Sequence, residues 1–137
     1  MFELVKSIFV SSSGLRVQGE RMRVIAENIA NSNSLPQRPG DLPYQRKVVT
    51  FRSQLDRSLD VATVQIGQRT VDRSDFGRRY DPGHPGADAD GYIQLPNING
   101  LVEAMDMKEA QRSYEANLSL IETAKSMLTR TIDILRA

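Results

Sequence analysis

Cysteine is absent from this 137-residue chain, which excludes disulfides, thiolate metal sites and cysteine nucleophiles and leaves oxidising and reducing compartments equally open. An excess of one charge is lacking too. Lys and Arg total 18 against 17 Asp and Glu, a formal net charge of +1, so no field holds a polyphosphate by charge alone and a nucleic-acid role is disfavoured. Long apolar runs are missing: nothing approaches the ~20 residues needed to span a bilayer. The opening MFELVKSIFV is interrupted by Glu3 and Lys6, so it has no uncharged centre of a secretory signal. A soluble chain without a cleavable Sec-type signal is expected. Ser11, Ser12 and Ser13 precede Gly14 without a GxSxG frame, and no Gly-rich phosphate loop ends in Lys and Ser or Thr. Nucleophilic and nucleotide chemistry are therefore unsupported.

What the chain does have is periodicity at its two ends, where most domains fray. Met1, Ile8, Leu15, Met22 and Ile29 recur every seven residues, with Leu4 and Ile25 on the neighbouring stripe and polar Ser11 and Gln18 interrupting it. This predicts a helix from about residue 3 to about residue 32, with a break around Ser11 to Gly14. Towards the other end, Ala104, Met107, Gln111, Tyr114, Leu118, Ile121, Lys125, Leu128, Ile132 and Leu135 alternate spacings of three and four, the pattern of a long helix with an apolar seam. Asn99 before Gly100 is its expected N-cap, and Glu103 and Asp106 suit the positive end of its dipole. Gln111 and Lys125 fall within the stripe, where a polar residue either fixes register or snorkels at a wet edge.

Between the helices, residues 33–43 are dense in Asn, Ser, Pro and Gly and read as a loop. Residues 44–51 and 59–66 carry β-branched and aromatic side chains with imperfect alternation, and residues 91–95 offer a third short strand. Residues 80–91, YDPGHPGADADG, cannot continue a helix or a central strand. The expected fold is mainly α with a small β-rich insert and an irregular middle segment, the terminal helices packing as a coiled coil. Residues 1–32 with 98–137 form a discontinuous helical domain, and residues 33–97 form the insert.

Helices of about 29 and about 37 residues run roughly 44 and 55 Å, more than an insert of that size can cover. Their stripes must pack on each other, on other subunits, or on both, so an assembly is favoured. Ile8, Leu15, Met22, Ile25, Ile29, Tyr114, Leu118, Ile121, Leu128, Ile132 and Leu135 are the expected packing residues. His84, the single histidine, sits near Asp81, Asp88 and Asp90, yet the spacing matches neither an EF-hand nor a zinc pattern. Asp88 and Asp90 lack a complementary catalytic group, so both read as turn residues. No catalytic, cofactor or metal residue is assigned. Arg16, Arg21, Arg23, Arg69, Arg73, Arg78 and Arg79 are interleaved with Glu20, Glu27, Asp72 and Asp75, as in a solvated or inter-subunit charged face. The first ten residues are too short an amphipathic segment to hold a membrane surface unaided.

The same residues carry a resemblance that reaches nearly end to end. The stretch SSSGLRVQGERMRVIAENIANSNS resembles the N-terminal signature of the flagellar rod and hook axial proteins, with Ala26, Asn28, Ala30 and Asn31 matching and Ser34 standing where that family has Thr. Residues 80–99, YDPGHPGADADGYIQLPNIN, are similar to a segment found in proximal rod subunits and include Tyr80, Asp81, Pro82, His84, Pro85, Asp88, Gly91, Tyr92, Pro96 and Asn97. The segment from Met105 to Leu128 resembles the family's terminal helix, with Arg112, Tyr114, Ala116, Asn117, Ala124 and Lys125 at the motif positions.

The resemblance implies a non-enzymatic component of the proximal rod, the shaft that crosses the periplasm, transmits torque and encloses the export channel. It also implies delivery by the flagellar type III export apparatus and contacts with copies of itself and with FlgB, FlgF, FlgG and FliE. It implies no cofactor, no nucleic acid and no insertion into the membrane. The periodicity alone also permits a cytoplasmic coiled-coil adaptor, which leaves the Asp- and Gly-rich segment unexplained.

Overall fold

The computed structural model describes residues 1–137 in the order α1 (Phe2–Ala30), β1 (Lys47–Asp56), β2 (Val61–Val71), β3 (Gly77–Tyr80), β4 (Tyr92–Leu95) and α2 (Gly100–Arg136). Two long terminal helices and two small two-stranded sheets, β1–β2 and β3–β4, make up the fold. No helix is long and apolar enough to cross a membrane.

Helix α1 is unbroken, which corrects the expected interruption at Ser11 to Gly14. The Ser13 hydroxyl donates to the Val10 carbonyl of its own helix at 2.7 Å and accepts from the Val64 N–H at 3.2 Å, so the serine that competes with a helix in isolation is here engaged by one local and one tertiary bond. After Ala30 the chain turns: Ser32 N–H bonds the Ile29 carbonyl at 3.2 Å, and Ser34 N–H the Asn31 carbonyl at 3.1 Å. At the other end Asn99 caps α2 as expected, its side-chain oxygen accepting from the N–H groups of Leu101 (3.0 Å) and Val102 (3.4 Å).

The strands are longer and more regular than their alternation suggests. β1 and β2 extend to Asp56 and Val71, and β3 was not anticipated. Their turn is held by Asp56, whose Oδ1 accepts from the Ser58 N–H (2.9 Å) and hydroxyl (2.6 Å) and from the Leu59 N–H (3.3 Å), and Asp60 takes a left-handed φ of 53°. These bonds, the Ser58 hydroxyl first, hold the Asp56 carboxyl below its ordinary value. β3 and β4 are antiparallel, with Tyr80 opposite Tyr92 and Gly77 opposite Leu95.

The chain divides into two compact units, one of residues Met1–Met22, Thr50–Gln68 and Lys108–Ala137, the other of Arg23–Val49 and Arg69–Met107. In the first unit α1 and α2 run antiparallel. Gly14 faces Asn117, Gly19 faces Tyr114, and Arg21 reaches Glu109 at 3.4 Å. The covered face of α2 is one position round from the stripe read in the sequence: Ala110 and Ala124 are buried, Asn117 is half-buried, and Gln111, Leu118 and Lys125 are exposed. The physical reason is close approach. A Cβ on Gly14 would lie 2.7 Å from the Asn117 side-chain nitrogen, and such a short separation admits Ala and Asn, not Leu and Lys, at the contact.

Gly14→Ala should be close to neutral, since about 1 kcal/mol of helix propensity offsets a small displacement of Asn117, whereas Gly14→Leu should cost about 1–3 kcal/mol by overpacking. Helicity followed by circular dichroism through a urea titration checks this; equal midpoints for the two variants would refute the close contact.

Candidate assembly surface and its polar anchor

The second unit is organised around a carboxylate. Glu103, in the first turns of α2, is 0% exposed, and burying that charge is tolerable only with a partner. The partner is Arg46, just before β1, whose Nε bonds Glu103 Oε1. The rest of the guanidinium reaches Asp72 Oδ2 at 3.4 Å and Asp106 Oδ2 at 3.5 Å. Burial by itself lowers the Arg46 pKa, but hydrogen bonding to Glu103 and Asp72 and the charges on both outweigh it, and the net shift is upward. The Asp72 carboxyl is held below its ordinary value, first by the Ser74 backbone N–H at 2.8 Å and also by Arg46.

Two asparagines tie the surrounding chain to this pair. Asn28, 1% exposed on α1, pairs with the backbone of Lys47 in both directions: its Nδ2 donates to the carbonyl at 2.8 Å and its Oδ1 accepts from the N–H at 2.9 Å. Tyr44 donates to the same oxygen at 3.1 Å, and Asn28 Nδ2 comes within 3.5 Å of Glu103 Oε2. Burial raises the Tyr44 pKa, with Lys47 opposing. Asn97 does similar work at the other end of the insert, accepting from the Arg46 N–H at 2.8 Å and donating to the Asp72 carbonyl at 2.9 Å. Asn31 bonds the Glu27 carbonyl through Nδ2 at 2.8 Å and accepts from the Ser34 hydroxyl at 2.9 Å, which secures the exit from α1.

The segment between β3 and β4 is a chain of turns closed on itself. Asp81 N–H bonds the Gly91 carbonyl at 2.9 Å, His84 N–H the Asp81 carbonyl at 3.1 Å, and Ala87 N–H the His84 carbonyl at 3.0 Å. His84 Nδ1 accepts from the Gly86 N–H at 3.0 Å. Asp88 Oδ1 accepts from the N–H groups of Tyr92 (2.9 Å) and Asp90 (3.0 Å), and Asp88 Oδ2 lies 3.3 Å from Arg78. Of these the Tyr92 bond does most to keep the Asp88 carboxyl below its ordinary value. Two glycines are required by geometry. Gly91 has φ +82°, and a Cβ on Gly86 would fall 2.2 Å from the Pro36 carbonyl oxygen. Tyr80 and Tyr92 meet edge to face at 5.3 Å, Pro96 is buried, and Pro82 and Pro85 are exposed. No three His, Asp or Glu side chains are placed to hold a metal ion together.

Much of the helix surface is left uncovered. Of the residues expected to pack between subunits, Ile25 is buried, Ile8, Leu15, Met22, Tyr114, Ile121 and Leu128 are half-buried, and Ile29, Leu118, Ile132 and Leu135 are exposed. Phe2, Phe9, Leu120, Met127 and Ile134 are exposed as well. Prolines aside, only six apolar side chains are buried in the whole chain, so more apolar helix surface faces solvent than a free-standing domain needs. Ala26, Ala30, Arg112, Ala116 and Lys125 also face outward. The anchor is hidden in the sequence, because Arg46 falls within the expected strand 44–51 and Glu103 and Asp106 suit the helix dipole equally well. A usable signal existed: Glu103 begins the three-four repeat that continues through Met107, Ala110, Tyr114 and Asn117.

Two long helices with uncovered apolar faces, joined by a small insert with a polar anchor, define a structural assembly subunit. Residues 89–134 match the family described as Flagellar basal body rod FlgEFG protein C-terminal. The chain is 48% identical to the flagellar basal-body rod protein FlgC of Agrobacterium fabrum over 93% of this chain and 92% of that protein. It is 35% identical to FlgC of Bacillus subtilis over 93% of this chain and 95% of that protein, and 35% identical to FlgC of Salmonella typhimurium over 91% and 92%. The chain belongs to the FlgC family of flagellar basal-body rod proteins.

Arg46→Met leaves Glu103 buried without a cation and should cost about 3–5 kcal/mol. Glu103→Gln leaves Arg46 two other carboxylates and should cost less, about 1–3 kcal/mol. Denaturant unfolding of both variants reads the difference; a larger loss for Glu103→Gln would mean that Arg46, and not Glu103, is the group that depends on the pair.

Proposed function

We infer that the chain serves as a structural subunit of the flagellar basal-body rod, and the observation that carries this is near-full-length identity to FlgC proteins of several bacteria. Its place is the rod within the periplasm, where it polymerises with copies of itself and with FlgB, FlgF, FlgG and FliE into the proximal drive shaft. That shaft transmits torque and surrounds the channel through which the type III export apparatus delivers this and other subunits. No catalytic role is proposed, since the relatives are named as rod proteins.

In this reading residues 1–32 with 98–137 form the inner helical domain, packed as coiled coils against neighbouring subunits, and residues 33–97 form the outer insert. The exposed apolar residues of both helices support it, because a stripe of that length is stable only when covered. A cytoplasmic adaptor is not favoured: it leaves the closed turn segment between Tyr80 and Tyr92 without a role.

Leu118, exposed on α2 and away from the intramolecular contact, separates assembly from folding. In a strain lacking the native protein, Leu118→Asp should reach the periplasm, keep the helicity of the parent chain, and abolish swimming and rod formation, because a carboxylate in an apolar seam is costly. Glu122→Gln on the same helix should swim normally. Intact rods built from Leu118→Asp subunits would remove this face from the assembly surface.

A further inference from the structure

Asn99 is the one asparagine in the chain that is followed by glycine. In that dipeptide no Cβ on the second residue hinders its nitrogen, and asparagine is among the chemically labile side chains. Both residues are exposed, and a Cβ placed on Gly100 would meet nothing within 4 Å. The structure nevertheless pins the asparagine by its side chain and by its backbone. Its side-chain oxygen accepts from the N–H groups of Leu101 at 3.0 Å and Val102 at 3.4 Å, and its carbonyl accepts from the Glu103 N–H at 3.0 Å. Glu103 is in turn fixed by Arg46, and Asn97, two residues before the cap, is tied to the Asp72 carbonyl at 2.9 Å. The cap therefore sits on a segment that the polar anchor holds from both sides.

We propose that Asn99 is a site of spontaneous modification, converted to aspartate and isoaspartate when the start of α2 opens and spared while it is closed. The Gly100 nitrogen gives up its proton and forms a bond to the Asn99 Cγ; the Cγ–Nδ2 bond breaks, and the amide nitrogen leaves with that proton as ammonia. Water then opens the five-membered imide. Cleavage between the Gly100 nitrogen and Cγ gives aspartate, and cleavage between that nitrogen and the Asn99 backbone carbonyl carbon gives isoaspartate, with no oxidation or reduction in either branch. Ring closure needs Cγ brought against the Gly100 nitrogen, which forfeits both side-chain bonds and swings the carbonyl away from the Glu103 N–H. Opening a cap together with the first backbone bond of a helix restricts the reactive population by roughly tenfold to a hundredfold. The products differ in consequence. Aspartate keeps a capping oxygen and adds a negative charge at the positive end of α2. Isoaspartate lengthens the backbone ahead of Gly100 by one carbon, which removes the cap and shifts Glu103 relative to Arg46.

The full chain is incubated at mildly alkaline pH in native buffer and in guanidinium chloride. Peptide mapping by mass spectrometry follows the replacement of each asparagine amide by a carboxyl group, and isoaspartyl methyltransferase labelling identifies isoaspartate. In denaturant Asn99 is expected to convert ahead of Asn31 and Asn33, each followed by serine; in native buffer it should convert at least about tenfold more slowly. Gly100→Ala should nearly abolish the conversion in denaturant, because a Cβ then crowds the attacking nitrogen, and should fold like the parent. After refolding, the isoaspartate fraction should unfold at a lower denaturant midpoint than the parent chain, whereas Asn99→Asp should match the parent. Conversion in denaturant led by Asn31 or Asn33 overturns the site. Equal rates at Asn99 in the two conditions, with helicity present in native buffer, overturn its protection by the cap, and a parental midpoint for the isoaspartate fraction overturns the effect on the anchor.

Discussion

Two helices with more apolar surface than one chain can cover set the terms for the rest of this molecule. Burial is the main source of folding free energy, and here much of it is deferred. The contact of α1 with α2 uses small residues, Gly14, Ala110 and Ala124, at close approach. The larger apolar side chains, among them Phe2, Phe9, Leu120, Met127 and Ile134, are left exposed. In the proposed reading, a subunit built this way is completed by its neighbours in the rod.

The insert is anchored by polar means, which suits a region with little apolar material. Arg46 and Glu103 form a pair that tolerates no vacancy, and Asn28 and Asn97 extend it by bonding backbone groups of segments far apart in sequence. Buried polar groups of this kind specify one arrangement more than they add stability. The asparagines that mark the family resemblance thereby acquire physical roles: Asn28 holds the start of β1, Asn31 the exit from α1, Asn97 the approach to α2, and Asn117 fills the space that Gly14 leaves open.

The long helices were legible because their periodicity extends over many turns, and Asn99 announced the start of α2 through capping chemistry. Phase was less legible than period. Heptads counted from large apolar residues placed Leu118 and Lys125 on the seam, whereas the intramolecular contact chose the neighbouring line of Ala110, Asn117 and Ala124. A single sequence does not show which of two neighbouring lines is buried within the chain and which is left exposed. The strands were underestimated because exposure on both faces of β1 erases alternation. Arg46 escaped notice because charged residues are normally read as solvated, and only the fold brings it to Glu103.

Hydrogen exchange of the terminal helices, compared between the isolated chain and purified basal bodies, tests most directly whether burial is completed by assembly. Amides of residues 2–10 and 118–136 should exchange rapidly in the isolated chain, where few neighbours oppose local opening, and become strongly protected in the basal body. Equal protection in both states would show that the helices are already satisfied within one chain, and the account of an incomplete subunit would fail.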